Sequence, residues 1–182
     1  EITTRLVGSE MCIRDRFLAL CLVLPMLTGQ IPQIGSMLLP MHIPVLLCGL
    51  VCGWQYGAAV GFVAPLLRSV LFGMPPMYPV AIAMAFELLT YGLVIGLVYR
   101  RMAQKGAAGV YAALLAAMVA GRLVWGVAEV VLLGLGGKAF TAQAFLAGAL
   151  LNAVPGIIVQ LVLIPAVMAA LQKAGAVKEY AE

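Results

Sequence analysis

The sequence predicts an all-α integral membrane protein with six transmembrane helices and with both termini in the cytoplasm. First, 64% of the 182 residues are hydrophobic and only 10% are charged, and the mean hydropathy of +1.10 is well outside the range of soluble domains. Second, the apolar runs do not alternate as barrel strands do, so their backbone groups must be satisfied within helices. Third, basic residues collect at the ends of these runs, where they set topology. The net charge of +4 therefore indicates no nucleic-acid partner.

Six apolar segments are predicted to form the helices. Glycine, proline and polar residues separate them, as is typical of helix ends and loops. In chain order the segments cover residues 17–28, 43–53, 58–72, 80–99, 110–133 and 144–171.

The two ends of the chain differ from the apolar body. Residues 1–16 carry six charges and match the following segment in neither polarity nor periodicity, so we expect a disordered or non-native extension. The apolar run at 17–27 precedes no small-residue cleavage site and is predicted to remain uncleaved. Since a full span needs about 20 residues, this run would be the outer part of a truncated first helix. We therefore expect a six-helix transmembrane domain at 17–172 and a cytoplasmic tail at 173–182.

The distribution of charge predicts which loops face the cytoplasm. Residues 100–106 contain three basic side chains, and the tail at 173–182 contains two lysines. Basic loops remain on the cytoplasmic side. The three outer loops that follow from this assignment contain a single charge, that of Lys138.

The second and third segments are predicted to form a tight helical hairpin, because each is shorter than the usual span. Four glycines recur at four-residue spacing, at Gly49, Gly53, Gly57 and Gly61, and small residues let helices approach closely in lipid. The sequence GWQYG at 53–57 would be the inner turn. The alternative is that the first outer loop extends the second helix outward.

Four ionisable residues lie inside the apolar segments, namely Arg68, Glu87, Arg122 and Glu129. A charge at the middle of the bilayer costs at least about 2.5–3.5 kcal/mol, so such residues face a partner or a watery cavity. Counting a helical rise of about 1.5 Å per residue from the predicted outer loops places most of these residues, and Asn152, in the outer half of the membrane. The sequence thus predicts a polar pocket that opens outward. The alternative is two neutralising pairs, Arg68–Glu87 and Arg122–Glu129, that only fix helix packing; paired charges lining a cavity are a third arrangement.

His42, the only histidine, lies where the second segment begins, and we expect it at the rim of the pocket or in a structural role.

The sequence contains no GxxxxGK[ST] phosphate loop, no GxSxG and no HExxH, and its four cysteines lack CxxC spacing. We therefore expect neither an enzyme nor a bound metal or cofactor. Any active transport would need a partner that hydrolyses ATP.

Several stretches together resemble a known family, the substrate-binding S components of energy-coupling factor (ECF) transporters, and within it the pantothenate-type branch. The resemblance covers roughly residues 17–171. The stretches are TGQIPQIGSMLLPMHIPVLLCGLVCGWQYG, LLRSVLFGMPPMYP, AMAFELLTYGLV, AGRLVWG and FLAGALLNAVPGIIVQLVLIP.

The resemblance implies a six-helix subunit in the plasma membrane of a prokaryote that captures a vitamin at the outer face. Its partners would be a transmembrane coupling (T) subunit and two ATP-binding cassette (ABC) ATPases. In this family the first outer loop, the third-helix loop and the outer halves of helices four to six contact the substrate. Those regions contain Gln30, Gln33, His42, Arg68, Tyr78, Glu87, Tyr91, Arg122, Trp125, Glu129 and Asn152.

One feature departs from the family pattern. S components carry AxxxA spacing on the first helix, where the coupling subunit docks, and this sequence offers only Ala19 with Val23 there.

Two other classes remain open at this point: a six-helix scaffold of the MreD type, which needs no solute pocket, and an intramembrane hydrolase using Ser36 and His42.

Overall fold

The computed structural model describes residues 15–26, 40–102, 106–136 and 154–173, and these residues form six α-helices. One turn of π-helix, Met77–Ala81, leads into the fourth. In chain order the helices are α1 (residues 15–26), α2 (His42–Val51), α3 (Trp54–Phe72), α4 (Ile82–Met102), α5 (Ala107–Leu135) and α6 (Val154–Lys173).

Four of the described helical stretches are long and apolar enough to cross a membrane. They are Trp54–Phe72, Met77–Met102, Ala107–Leu135 and Val154–Lys173. The apolar helix α2 has only ten residues. The predicted all-helical membrane fold is thus confirmed, whereas the number of spans and the side of each terminus remain predictions.

The predicted hairpin is present in α2 and α3, but its turn is tighter than the sequence suggested. The helix α3 already begins at Trp54, so the turn consists of Cys52 and Gly53 rather than residues 53–57. Gly53 adopts a φ of 91°, which a residue with a side chain rarely tolerates. Gly53 therefore reverses the chain. The glycine spacing had suggested that it packs against another helix, and it does not.

Three glycines bring the backbones of α2, α3 and α4 into direct contact. A Cβ atom added to Gly57 would lie 2.6 Å from the Cα of Gly49 and 2.9 Å from the carbonyl oxygen of Gly92, and one added to Gly92 would overlap the backbone of Gly57. In lipid, such close approach replaces the hydrophobic drive as the main source of helix association. The contribution of Gly92 could not be predicted from the glycine spacing of the hairpin, because Gly92 lies on α4.

The central helix is α4, which packs mainly against α3 and α5. Its buried positions include Glu87, Leu88, Tyr91 and Ile95, and this spacing of three and four residues defines one face. The charged Glu87 lies on that inward face and therefore not toward lipid.

Candidate functional site

Three ionisable side chains from three helices meet in the interior. Glu87 of α4 lies between the other two, with its Oε1 atom 3.2 Å from Nη1 of Arg122 on α5. The same Oε1 atom is 3.5 Å from Nε2 of His42, the first residue of α2. We call His42, Glu87 and Arg122 the polar cluster.

The polar cluster is almost completely removed from the surface. The side chains of His42 and Glu87 are 1% and 2% exposed, and that of Arg122 is 14% exposed. Removing one partner from such a buried pair leaves an uncompensated charge, which costs more than the pair itself contributes. The three residues therefore depend on one another.

Tyr91 positions the cluster from one helical turn beyond Glu87. Its ring meets the ring of His42 edge-on, with centroids 5.0 Å apart and planes at 78°, a favoured geometry for aromatic pairs. On its other side the ring packs on Gly121, where an added Cβ atom would lie only 2.8 Å away. The Tyr91 hydroxyl interacts with both Glu87 and Arg122. Tyr91 thus joins α2, α4 and α5 at the cluster.

Several polar atoms of the cluster have no hydrogen-bond partner among the described residues. These atoms are both ring nitrogens of His42, Oε1 of Glu87, and Nε and Nη2 of Arg122. Buried polar groups are nearly always hydrogen-bonded in native proteins, so each exception needs an explanation. The arrangement offers donors for an anion beside an acceptor for a hydroxyl or amide.

Arg68 does not belong to this cluster. Its Nη1 donates a hydrogen bond to the carbonyl oxygen of Leu22 in α1, at 3.1 Å, and its guanidinium carbon lies 5.7 Å from the centroid of the Phe72 ring. The pairing of Arg68 with Glu87 that the sequence allowed is therefore wrong. Arg68 ties α3 to α1, because a long side chain can reach a carbonyl on a neighbouring helix.

The second neutralising pair is also absent from the described residues. Arg122 bridges to Glu87 and not to Glu129, two turns further along α5. Glu129 is nevertheless buried, with 6% exposure. The guanidinium carbon of Arg122 lies 6.0 Å from the centroid of the Trp125 ring. The sealed pairs expected of a scaffold without a pocket do not form.

Tyr78 lies apart from the cluster, at the turn before α4. It is about half exposed, and its hydroxyl donates a hydrogen bond to the carbonyl oxygen of Leu132 near the end of α5. This contact fastens the turn to α5. Three further predicted site residues, Gln30, Gln33 and Asn152, lie outside the described residues, as does Ser36 of the hydrolase alternative.

Two residues have a place in the structure that sequence reasoning did not give them. His42, expected at the rim or in a structural role, is a member of the polar cluster, and its side chain is 1% exposed. Gln160 of α6 was not singled out, yet it is only 1% exposed, and its Nε2 atom has no hydrogen-bond partner among the described residues. A polar glutamine within the apolar segment 144–171 was the available signal.

A separate cavity of about 410 Å³ lies at the opposite end of α2, around the turn at Gly53. Trp54, Tyr99 and Arg100 contribute to its wall. Since α2 contains ten residues, this end is about 15 Å from His42. The cavity is thus distinct from the polar cluster.

Buried ionisable side chains inside apolar helices are typical of membrane proteins that handle ions or solutes. A family model for the substrate-specific component of ECF transporters matches residues 17–169 of the chain. The protein belongs to this family, and it is therefore a transporter subunit. Neither curated proteins nor solved structures yield a match.

Proposed function

We propose that the protein captures a vitamin at the polar cluster, with pantothenate as the first candidate, for ATP-driven uptake by partner subunits. The observation that carries this proposal is the set of buried polar atoms on His42 and Arg122 that have no hydrogen-bond partner among the described residues. Such atoms are costly in a protein that only needs to pack, and a solute would satisfy them.

Each member of the cluster has a distinct role in the proposal. Arg122 offers Nε and Nη2 to a carboxylate of the solute, which matches the planar fork of a guanidinium. Glu87 holds Arg122 in place and accepts a hydrogen bond from a hydroxyl or amide. His42 supplies two ring nitrogens, one of which donates while the other accepts when the ring is neutral. Tyr91 fixes the orientation of His42.

Titration of the purified protein in detergent against pantothenate, riboflavin, thiamine and biotin tests this proposal, together with native mass spectrometry of freshly purified material. We expect a vitamin that carries a carboxylate, pantothenate or biotin, to bind and to raise the melting temperature. A folded protein that binds none of the four would contradict the proposal.

The two intramembrane arginines provide a matched pair of variants. Arg122→Gln removes the donors at the cluster and leaves Glu87 without its counter-charge. In protein that circular dichroism shows to be folded, it should weaken binding by about 10- to 100-fold, the effect of losing a charged hydrogen bond. Arg68→Gln should leave binding within about twofold, because Arg68 contacts α1 instead. Equal losses in the two variants would indicate that binding does not depend on the polar cluster.

The topology and the partners follow the same proposal. We place both termini and residues 100–106 in the cytoplasm of a prokaryotic cell, with six spans in residues 17–172, residues 1–16 as an extension and residues 173–182 as a tail. The supporting observation is the basic end of α4, Arg100 and Arg101. Active uptake would require a partner that hydrolyses ATP, because the chain has no phosphate loop. Membership of the ECF family implies that the partners are a T subunit and two ABC ATPases. Green fluorescent protein fused after residue 182 should fluoresce, and alkaline phosphatase fused there should be inactive.

A further inference from the structure

Gln160 lies on the inward face of α6. Together with Gly156, Ile164 and Met168 it forms the buried positions of this helix, which repeat every four residues and face the core. Gln160 is 1% exposed, and its side-chain nitrogen lacks a hydrogen-bond partner among the described residues. A packing role alone would favour an apolar residue here, because an unsatisfied buried amide costs about 1–3 kcal/mol.

The depth of Gln160 can be fixed from a contact further along the same helix. Nε2 of Gln172 donates to the hydroxyl of Tyr99 at 3.4 Å, which brings the C-terminal ends of α6 and α4 to one level. Gln160 precedes Gln172 by twelve residues, and Glu87 precedes Tyr99 by twelve residues. Both separations correspond to about 18 Å along a helix. Gln160 and Glu87 are therefore at a similar depth.

The neighbours of α6 connect Gln160 to the polar cluster. The described part of α6 packs against α5 and α2, the two helices that contribute Arg122 and His42. The inward face of α6 is thus turned to the helices that carry the cluster nitrogen atoms without a hydrogen-bond partner among the described residues. All of these groups lie at one level of the protein.

We infer that Gln160 forms the α6 wall of the binding site and donates a hydrogen bond to an uncharged oxygen of the solute. This inference rests on the proposed function and names a second recognition point. Arg122 binds the carboxylate, and the neutral amide of Gln160 binds a carbonyl or hydroxyl oxygen elsewhere on the molecule. The substrate class is therefore a small organic acid that carries an amide or hydroxyl group away from its carboxylate.

Two variants of Gln160 and one control test this inference, with pantothenate as the probe. Gln160→Leu and Gln160→Met keep the size of the side chain and remove the donor. We expect each to raise the dissociation constant by about 3- to 10-fold, the effect of one neutral hydrogen bond, and to leave the ligand-free melting temperature equal or higher. Gln172→Leu changes the same residue type three turns away and should leave the dissociation constant unchanged.

Three outcomes are informative. An unchanged dissociation constant in both Gln160 variants, with weakened binding in Arg122→Gln, overturns the inference and leaves the proposed function intact. A lower melting temperature with an unchanged dissociation constant in these variants assigns Gln160 a packing role and also overturns it. A folded wild-type protein that does not bind pantothenate, riboflavin, thiamine or biotin contradicts both the inference and the proposed function.

Discussion

The Tyr91 ring meets the His42 ring edge-on, with centroids 5.0 Å apart and an angle of 78° between their planes. His42 is the first residue of α2, so this contact fixes where the helix begins relative to α4. It also orients the imidazole toward Glu87. One aromatic pair thus connects the start of α2 to the helix that carries Glu87.

Two substitutions of Tyr91 should distinguish the contribution of its ring from that of its hydroxyl. Tyr91→Phe keeps the edge-on contact and removes the group that interacts with Glu87 and Arg122, so we expect weaker solute binding with a nearly unchanged melting temperature. Tyr91→Leu removes the ring and should cost about 3 kcal/mol of stability, as large-to-small core changes do. Thermal unfolding followed by circular dichroism, with titration of pantothenate, measures both effects. Equal destabilisation by the two variants would contradict a role for the ring.

The carboxylate of Glu87 should be essential for folding. Glu87→Gln leaves Arg122 buried without its counter-charge, which costs about 3–5 kcal/mol. Glu129→Gln is the matched control, because Glu129 is buried but forms no ion pair among the described residues. We expect a large fall in melting temperature for the first variant and a small change for the second. Similar melting temperatures for both variants would show that the bridge to Arg122 contributes little.

The glycine contact between α3 and α4 should be intolerant of a single methyl group. Gly92→Ala places a Cβ atom within the backbone of Gly57, and overpacking of this kind costs about 1–3 kcal/mol or more. Gly134→Ala is the control, since the space around Gly134 is open and alanine favours a helix. The yield and melting temperature of the two variants in detergent test the prediction. If Gly92→Ala has normal stability, α3 and α4 can move apart at no cost in free energy of unfolding, and the prediction is wrong.

Arg68 should matter for stability and not for binding. Arg68→Gln removes the hydrogen bond to the Leu22 carbonyl and should destabilise the protein by about 1–3 kcal/mol, the range for hydrogen bonds to charged groups. Limited proteolysis that probes α1 should show faster cleavage in this variant. An unchanged cleavage rate would indicate that the contact with α1 is not stabilising.

The sequence predicted the class of fold and the burial of polar groups, because both follow from local properties. Apolar length and the position of basic loops do not depend on which helices are neighbours. The presence of Glu87 and Arg122 in apolar segments likewise required an interior location. Tyr91 was included through the family resemblance, and its position four residues from Glu87 places both on one helical face.

The choice of partners was not predictable, because it depends on which helices pack together. Glu87 could pair with Arg68 on α3 or with Arg122 on α5, and both arginines lie in apolar segments. The tertiary contact of Arg68 with Leu22 decides between them, and nothing in the spacing reveals it. His42 was expected at the rim for a similar reason, since a short second segment did not show how deep its first residue lies.

The Gly49–Gly57–Gly92 contact also determines which parts of the protein can move. Main-chain atoms of the three glycines are in contact there, and the Ile95 side chain also packs on Gly49. A small sliding movement would therefore make main-chain atoms collide, and α2, α3 and α4 are expected to move as one rigid body. His42 and Glu87 belong to that body, whereas Arg122 lies on α5, which meets α4 at Tyr91 through a side chain. Spin labels on α2, α4 and α5 should report a constant α2–α4 distance and a variable α4–α5 distance when solute is added. Admission and release of a solute would then occur by opening the seam between Glu87 and Arg122.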